Sequence, residues 1–123
     1  MKRLLLCLLL LCQPVFGAID CDKVQALDLA SAGTSTIPAK SNNYETIKVC
    51  AVGLTGTTAT VSNAVQGTTV TIASNSVTKA TYVIGTSPLG LGTGTGMLFQ
   101  GEPGQSIVVT CGTGSCKGSI TYQ

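Results

Sequence analysis

Histidine and tryptophan are absent from this 123-residue chain, and only 10% of its residues are charged. Without histidine, a serine or cysteine nucleophile lacks the imidazole base that usually activates it. Glycoside hydrolysis needs a positioned pair of carboxylates, but Glu45 and Glu102 are isolated and the aspartates lie near the start of the chain. We therefore expect that the protein is not an enzyme.

The first 17 residues have the pattern of a signal peptide. Lys2 and Arg3 precede an apolar run from Leu4 to Leu11, Pro14 ends the run, and Gly17 is the small residue expected at a cleavage site. The alternative, a membrane anchor, needs about 20 apolar residues, and this run is shorter. We expect an exported protein that is secreted, periplasmic or extracellular, and that has no membrane association after cleavage.

A lipid anchor is a further alternative, because three cysteines lie near the start of the chain. Each of Cys7, Cys12 and Cys21 follows a leucine or an aspartate. A lipidated cysteine is expected to follow a small residue, so the sequence disfavours lipidation.

Cleavage would leave a chain without net charge. Of the seven basic residues, Lys2 and Arg3 are lost, and the five lysines that remain balance five acidic residues. The remaining chain has no arginine and no basic cluster, so it lacks the electrostatic footprint of a nucleic-acid-binding protein. We expect no nucleic-acid partner.

Four cysteines follow residue 17, and an even number in a short exported chain is typical of two disulfides. Four cysteines allow three connectivities. The spacing favours Cys111 with Cys116, because a tight turn at GTGS between two strands would place them opposite each other, and it leaves Cys21 for Cys50. A zinc site is the competing interpretation, but Cys21 and Cys50 are too far apart for the usual ligand spacing.

No motif predicts a bound metal or cofactor. Asp20 and Asp22 could supply oxygen ligands to calcium, but KVQ follows without a further oxygen ligand or a turn glycine. The glycine-rich run from Pro88 to Phe99 lacks the lysine and hydroxyl residue of a phosphate-binding loop, and its spacing fails the dinucleotide pattern. We interpret this run as a turning connection between strands.

Residues 18–123 predict a single all-β domain. Threonine, serine, valine and glycine dominate, and no segment keeps a helical period. About eight short runs separated by turn residues predict a small β-sandwich or jelly roll. The candidate strands are KVQALDLASAG, YETIKVCAVGL, TATVS, TTVTIAS, ATYVIGT, GMLFQ, QSIVVTC and GSITYQ. Large aromatic residues are few, so the core is lean, and such domains often need disulfides or oligomerisation.

The triplet MLF after the glycines is a run of three large apolar residues. In a strand, Met97 and Phe99 would share one face and Leu98 would take the other. One face could be core. The alternative is that Leu89, Leu91 and one side of this strand contribute to a contact between subunits, since exposed apolar groups often mark interfaces.

Two segments of the chain resemble a known group of proteins. ASAGTSTIPAKSNNYETIKVCAVGL, and EPGQSIVVTC followed by GSITYQ, resemble small β-sandwich proteins encoded by tailed phages and phage-like metagenomic sequences, some of which carry signal peptides. The middle departs from that pattern: SNAVQGTTVTIASNS has no cysteine, and CGTGSC lies near the end instead. This departure leaves the disulfide connectivity open. The resemblance implies a structural or surface protein of a virion or cell exterior and assigns no functional residue.

We therefore expect a secreted structural or interaction protein that assembles with itself or decorates a larger particle. A carbohydrate- or receptor-binding module is the alternative from another class, and Tyr44, Tyr82 and Tyr122 are the only rings on which a sugar could stack. A small secreted toxin or inhibitor is also compatible with the size and the cysteines.

The signal-peptide prediction sets the first residue of the exported protein at Ala18. Intact-mass measurement of the exported protein is expected to find a chain that lacks the first 17 residues. A species that retains Leu4 to Leu11, or that carries a lipid on Cys21, would contradict the prediction.

Overall fold

The computed structural model describes residues 20–57, 59–61, 64–92 and 96–123, so the predicted signal peptide lies outside the described residues. The described residues form β-strands, turns and irregular segments, and none of them lies in a helix that could cross a membrane. The strands are β1 (Lys23–Leu29), β2 (Thr34–Ile37), β3 (Lys48–Gly56), β4 (Ala59–Val61), β5 (Ala64–Gln66), β6 (Thr68–Ser74), β7 (Val77–Ile84), β8 (Leu89–Gly92), β9 (Phe99–Gln100), β10 (Ile107–Cys111) and β11 (Cys116–Tyr122).

Two antiparallel sheets form a small β-sandwich, which confirms the fold class predicted from the sequence. The five-stranded sheet has the order β1-β11-β3-β8, and β9 also pairs with β3. The four-stranded sheet has the order β2-β10-β6-β7. Strands β4 and β5 pair only with each other among the described strands.

The core is a layer of aliphatic side chains between the two sheets. Strands β6 and β10 place a buried residue at every second position, as expected for strands with one face on a core. Burying an aliphatic side chain of this size stabilises a fold by about 1.5–3 kcal/mol. The core residues from both sheets are Leu27, Ile37, Ile47, Val49, Val52, Leu54, Val70, Ile72, Ile84, Ile107, Val109, Cys111, Cys116 and Ile120.

The turn between β6 and β7 has the geometry expected of a tight hairpin. Asn75 and Ser76 both have positive φ, at 48° and 63°. Two consecutive residues with positive φ define a type I′ turn, whose twist matches that of the flanking strands. This turn sets the register of the first pairs of β7 with β6, up to a register shift between Ala73 and Ile72.

Both disulfides favoured by the spacing are present. Cys21 is bonded to Cys50 with their Cα atoms 6.3 Å apart, and Cys111 to Cys116 with theirs 6.0 Å apart. Two disulfides within one chain are compatible with an oxidising environment.

The prediction that Cys111 and Cys116 close a hairpin was wrong. Their strands, β10 and β11, lie in different sheets, so the disulfide joins the sheets at a corner of the sandwich. Gly114 turns this corner with φ at 95°, and a Cβ there would lie 2.9 Å from Oγ1 of Thr57. A GTGS turn alone does not specify whether the next strand folds back beside the first or crosses to the other sheet.

The glycine-rich run is more than a connection between strands. It contains β8, and both β8 and β9 pair with the same edge of β3, so they are two parts of one interrupted edge. Leu89 and Leu91 lie opposite the buried Leu54 and Val52, while the intervening glycines occupy the outer face. The alternation of leucine and glycine is therefore a strand pattern. Residues 93–95 of the run lie outside the described residues.

The positions of the disulfides predict how each one stabilises the fold. Replacing Cys21 and Cys50 with alanine is expected to lower the free energy of unfolding by about 3–4 kcal/mol. The two cysteines are 29 positions apart, and without the disulfide the loop between them is no longer closed in the unfolded chain. For Cys111 and Cys116, separated by five positions, loop entropy alone predicts about 2 kcal/mol. Their burial in the core adds a packing cost.

Urea denaturation of the two double variants measures these losses. The control is the wild type in the same buffer without reductant. Wild-type stability in either double variant would show that the corresponding disulfide does not constrain the chain.

Candidate functional site

Three carboxylates of the described residues, including Glu45 and Glu102, lie in ion pairs. Glu45 lies 3.8 Å from the Lys40 amine, Asp28 lies 3.3 Å from that of Lys117, and Glu102 pairs with Lys79. Glu45 and Glu102, the two carboxylates considered for glycoside hydrolysis, are therefore each paired with a lysine. Within the described part of the chain, no cluster of three or more histidine, cysteine, aspartate or glutamate residues could hold a metal.

The five residues of the candidate interface divide between core and surface. Leu89, Leu98 and Phe99 are half-buried and pack against the core. Leu91 is half-buried on the core-facing side of β8. Met97 precedes β9 and is 41% exposed. A subunit contact at this segment stays a prediction. Of the five residues, Met97 is the most exposed, so it would contribute the most apolar surface to such a contact.

A polar depression of about 340 Å³ lies beside Tyr44. Its lining residues are Lys40, Tyr44, Glu45, Thr46, Lys48 and Gln123. It combines one exposed ring, two amines, a carboxylate and an amide. The side-chain Oε1 of Gln123 is buried and has no hydrogen-bond partner among the described residues.

Local backbone bonds hold the wall of this depression in place. The Asn42 side chain accepts a hydrogen bond from the Tyr44 amide at 3.0 Å, and its carbonyl accepts one from the Glu45 amide at 3.1 Å. Gln123 donates its backbone amide to Lys48 at 2.9 Å, which fixes the opposite wall. An asparagine at such a position is typical of a turn stabilised by its own side chain.

Of the three tyrosines, Tyr44 alone presents a free ring. It is 89% exposed. Tyr82 and Tyr122 are half-buried and pack against the core, and burial raises the pKa of the Tyr82 phenol above its ordinary value of 10.0. A sugar ring needs an open aromatic face to stack on, so Tyr44 is the candidate.

The outer side of the four-stranded sheet carries an array of threonines that we call the threonine face. One row crosses all four strands, because Thr34 lies opposite Thr110, Thr110 opposite Thr71, and Thr71 opposite Thr81. Directly opposed side chains on one sheet face lie about 4.5–5.5 Å apart at Cβ, so the threonines of this row are nearest neighbours across the strands. The full threonine face comprises Thr34, Thr36, Thr69, Thr71, Ala73, Thr78, Thr81, Val83, Val108 and Thr110.

The threonine face contains no ionisable residue. The outer side of the five-stranded sheet differs, because it carries the Asp28–Lys117 ion pair at one end. Toward its middle that second face has small residues, and a Cβ placed on Gly53 or Gly90 would meet no other atom within 4 Å. The threonine face therefore has no charged side chain, whereas the opposite broad face has a pair of opposite charges.

Sequence reasoning missed the threonine face because it depends on register. The alternation in TTVTIAS and SIVVTC places Thr69, Thr71 and Thr110 on the outer side of their strands. Their alignment into a row follows from which strands become neighbours. Strands β6 and β7 are joined by a tight turn, but β2 and β10 come from distant parts of the chain.

No protein-family model matches this chain, and no curated protein sequence is significantly similar to it. Interpretation of the site therefore depends on its residues alone.

Proposed function

We propose that this protein is a non-enzymatic, secreted structural protein that assembles with itself at the exterior of a cell or particle. The observation that carries the proposal is the neutral threonine face, which spans the full width of a four-stranded sheet. Ten neighbouring outward positions without one ionisable group are unusual for a surface that meets only water.

A surface without charged groups lowers the free-energy cost of forming an interface with another molecule. Moving a charged group from water into an interface costs several kcal/mol unless the group finds a partner there. A threonine brings a methyl group and one hydroxyl, and the hydroxyl can donate or accept a hydrogen bond across an interface. A surface of this composition can be covered without removing an ion from water.

The balance of charges favours association in the same way. Five lysines and five acidic residues follow residue 17, and three of those lysines are in ion pairs. Molecules with a net charge near zero do not repel one another and associate more readily. Two disulfides suit such a protein to an exterior location, where it is exposed to oxidants and proteases.

Sedimentation velocity over a hundredfold range of protein concentration tests the proposal. We expect the exported protein to sediment as a species larger than one chain, with a fraction that rises with concentration. Sedimentation as a single chain at every concentration would refute self-assembly.

A second candidate function is binding of a carbohydrate at the depression beside Tyr44. An 89% exposed ring next to amines, a carboxylate and an amide provides both a stacking platform and hydrogen-bonding groups. This candidate requires no assembly, so the two functions are separable by experiment.

A glycan array probed with the purified protein tests this second candidate. If a glycan binds, Tyr44→Ala is expected to weaken binding about tenfold or more, because truncating an aromatic anchor commonly costs over about 1.4 kcal/mol. Val24→Ala, which also trims an exposed apolar residue, serves as the control and should bind as the wild type does. Absence of binding on the array, or full binding by Tyr44→Ala, would reject the candidate.

A further inference from the structure

The two sheets present four edges, and their protection is unequal. The five-stranded sheet ends at β1 on one side and at β8 with β9 on the other. The four-stranded sheet ends at β2 and at β7. A strand at an edge offers unpaired backbone amides and carbonyls to any other chain, so stable monomers protect their edges with charge, proline, glycine or shortness.

Three of the four edges carry such protection. Strand β1 has Lys23 and Asp28, and two further aspartates precede it. Strand β2 is four residues long and is followed by Pro38. Strand β8 is also four residues long and alternates leucine with glycine, while β9 has two residues.

Strand β7 has little of this protection. It is eight residues long, contains no proline or glycine, and pairs only with β6 among the described strands. Its single charged residue, Lys79, is occupied by an ion pair with Glu102. A register shift opposite Ile72 and Ala73 interrupts its first half, and the second half, Ala80–Ile84, is uncharged and regularly paired.

The side chains along β7 favour pairing with another strand. Val83 is 72% exposed and Val77 is 47% exposed, although valine has a strong preference for the interior of sheets. The second half of the strand consists of alanine, threonine, tyrosine, valine and isoleucine, and four of these five residues are β-branched or aromatic.

We propose that β7 is the edge at which a second copy of this chain pairs, antiparallel and about a twofold axis. The two four-stranded sheets then form one continuous sheet, and the threonine face extends across both copies. This inference rests on the proposed self-assembly and names the surface through which assembly begins.

A second copy fits this edge better than an unrelated strand because a twofold contact is self-complementary. The β-branched residues of one copy meet those of the other copy across the axis, and cross-strand pairs of this kind contribute about 0.2–1 kcal/mol each. Lys79, already neutralised by Glu102, brings no unpaired charge against its own copy. The three protected edges offer no comparable match.

The test compares two lysine variants by sedimentation velocity. Val83→Lys places a charge on β7, and Val24→Lys places the same charge on β1, an edge strand of the other sheet that lies outside the threonine face. Both positions are exposed, so both variants should keep the far-ultraviolet circular dichroism of the wild type. We expect Val83→Lys to lose assembly and sediment at half the mass of the smallest wild-type assembly, while Val24→Lys assembles normally.

The remaining outcomes each overturn a defined claim. Normal assembly of Val83→Lys, or loss of assembly in both variants, would reject β7 as the contact while leaving self-assembly in place. A wild type that stays a single chain would reject the proposed function together with this inference. If Val83→Lys is misfolded, Thr81→Lys on the same strand is measured against the same control, with the same expected results.

Discussion

A single layer of aliphatic side chains holds the two sheets together, and every other feature of this protein depends on it. The layer contains isoleucine, valine and leucine but no tryptophan, and Phe99 packs only at its margin. Such a lean core leaves little stability to spare in a small domain. The disulfide between Cys111 and Cys116 therefore contributes to stability at two places. Its cysteines are part of the core, and it links the two sheets at the corner where the chain passes from one to the other.

Charged residues, like large aromatic ones, are few in this chain, and their scarcity determines the composition of the surface. Because the strands use threonine, valine and glycine on both sides, the outer faces are nearly free of ions, and most of the charges pair with each other at the margins. A neutral surface forms contacts at low cost, and an unprotected edge directs where contacts begin. The proposed assembly and the lean core thus have one origin, since an associated sheet would gain buried surface that the single chain lacks.

Alternation of side chains was sufficient to predict the all-β class and several strands. The number and spacing of the cysteines favoured the two disulfide pairs that are present, although the hairpin assumed for Cys111 and Cys116 is not formed. Period-two patterns in SIVVTC and TTVTIAS coincide with β10 and β6. What failed depends on information outside a single strand. The LGLG segment was interpreted as a connection because glycine usually marks turns, but its leucines find core partners on β3. The GTGS turn gave no sign that the chain changes sheet, and the threonine row exists only once distant strands become neighbours.

Hydrogen exchange measured at two protein concentrations tests most directly whether copies associate through β7. Amides in Ala80–Ile84 that point away from β6 face either water or another copy, whereas those of β2 serve as an internal reference at the opposite edge. Exchange slows when an amide forms a stable hydrogen bond. The account predicts slow exchange of the β7 amides in concentrated protein, faster exchange on dilution, and no such change in β2. Equal exchange of the β7 amides at both concentrations, in a sample whose mass shows assembly, would contradict it.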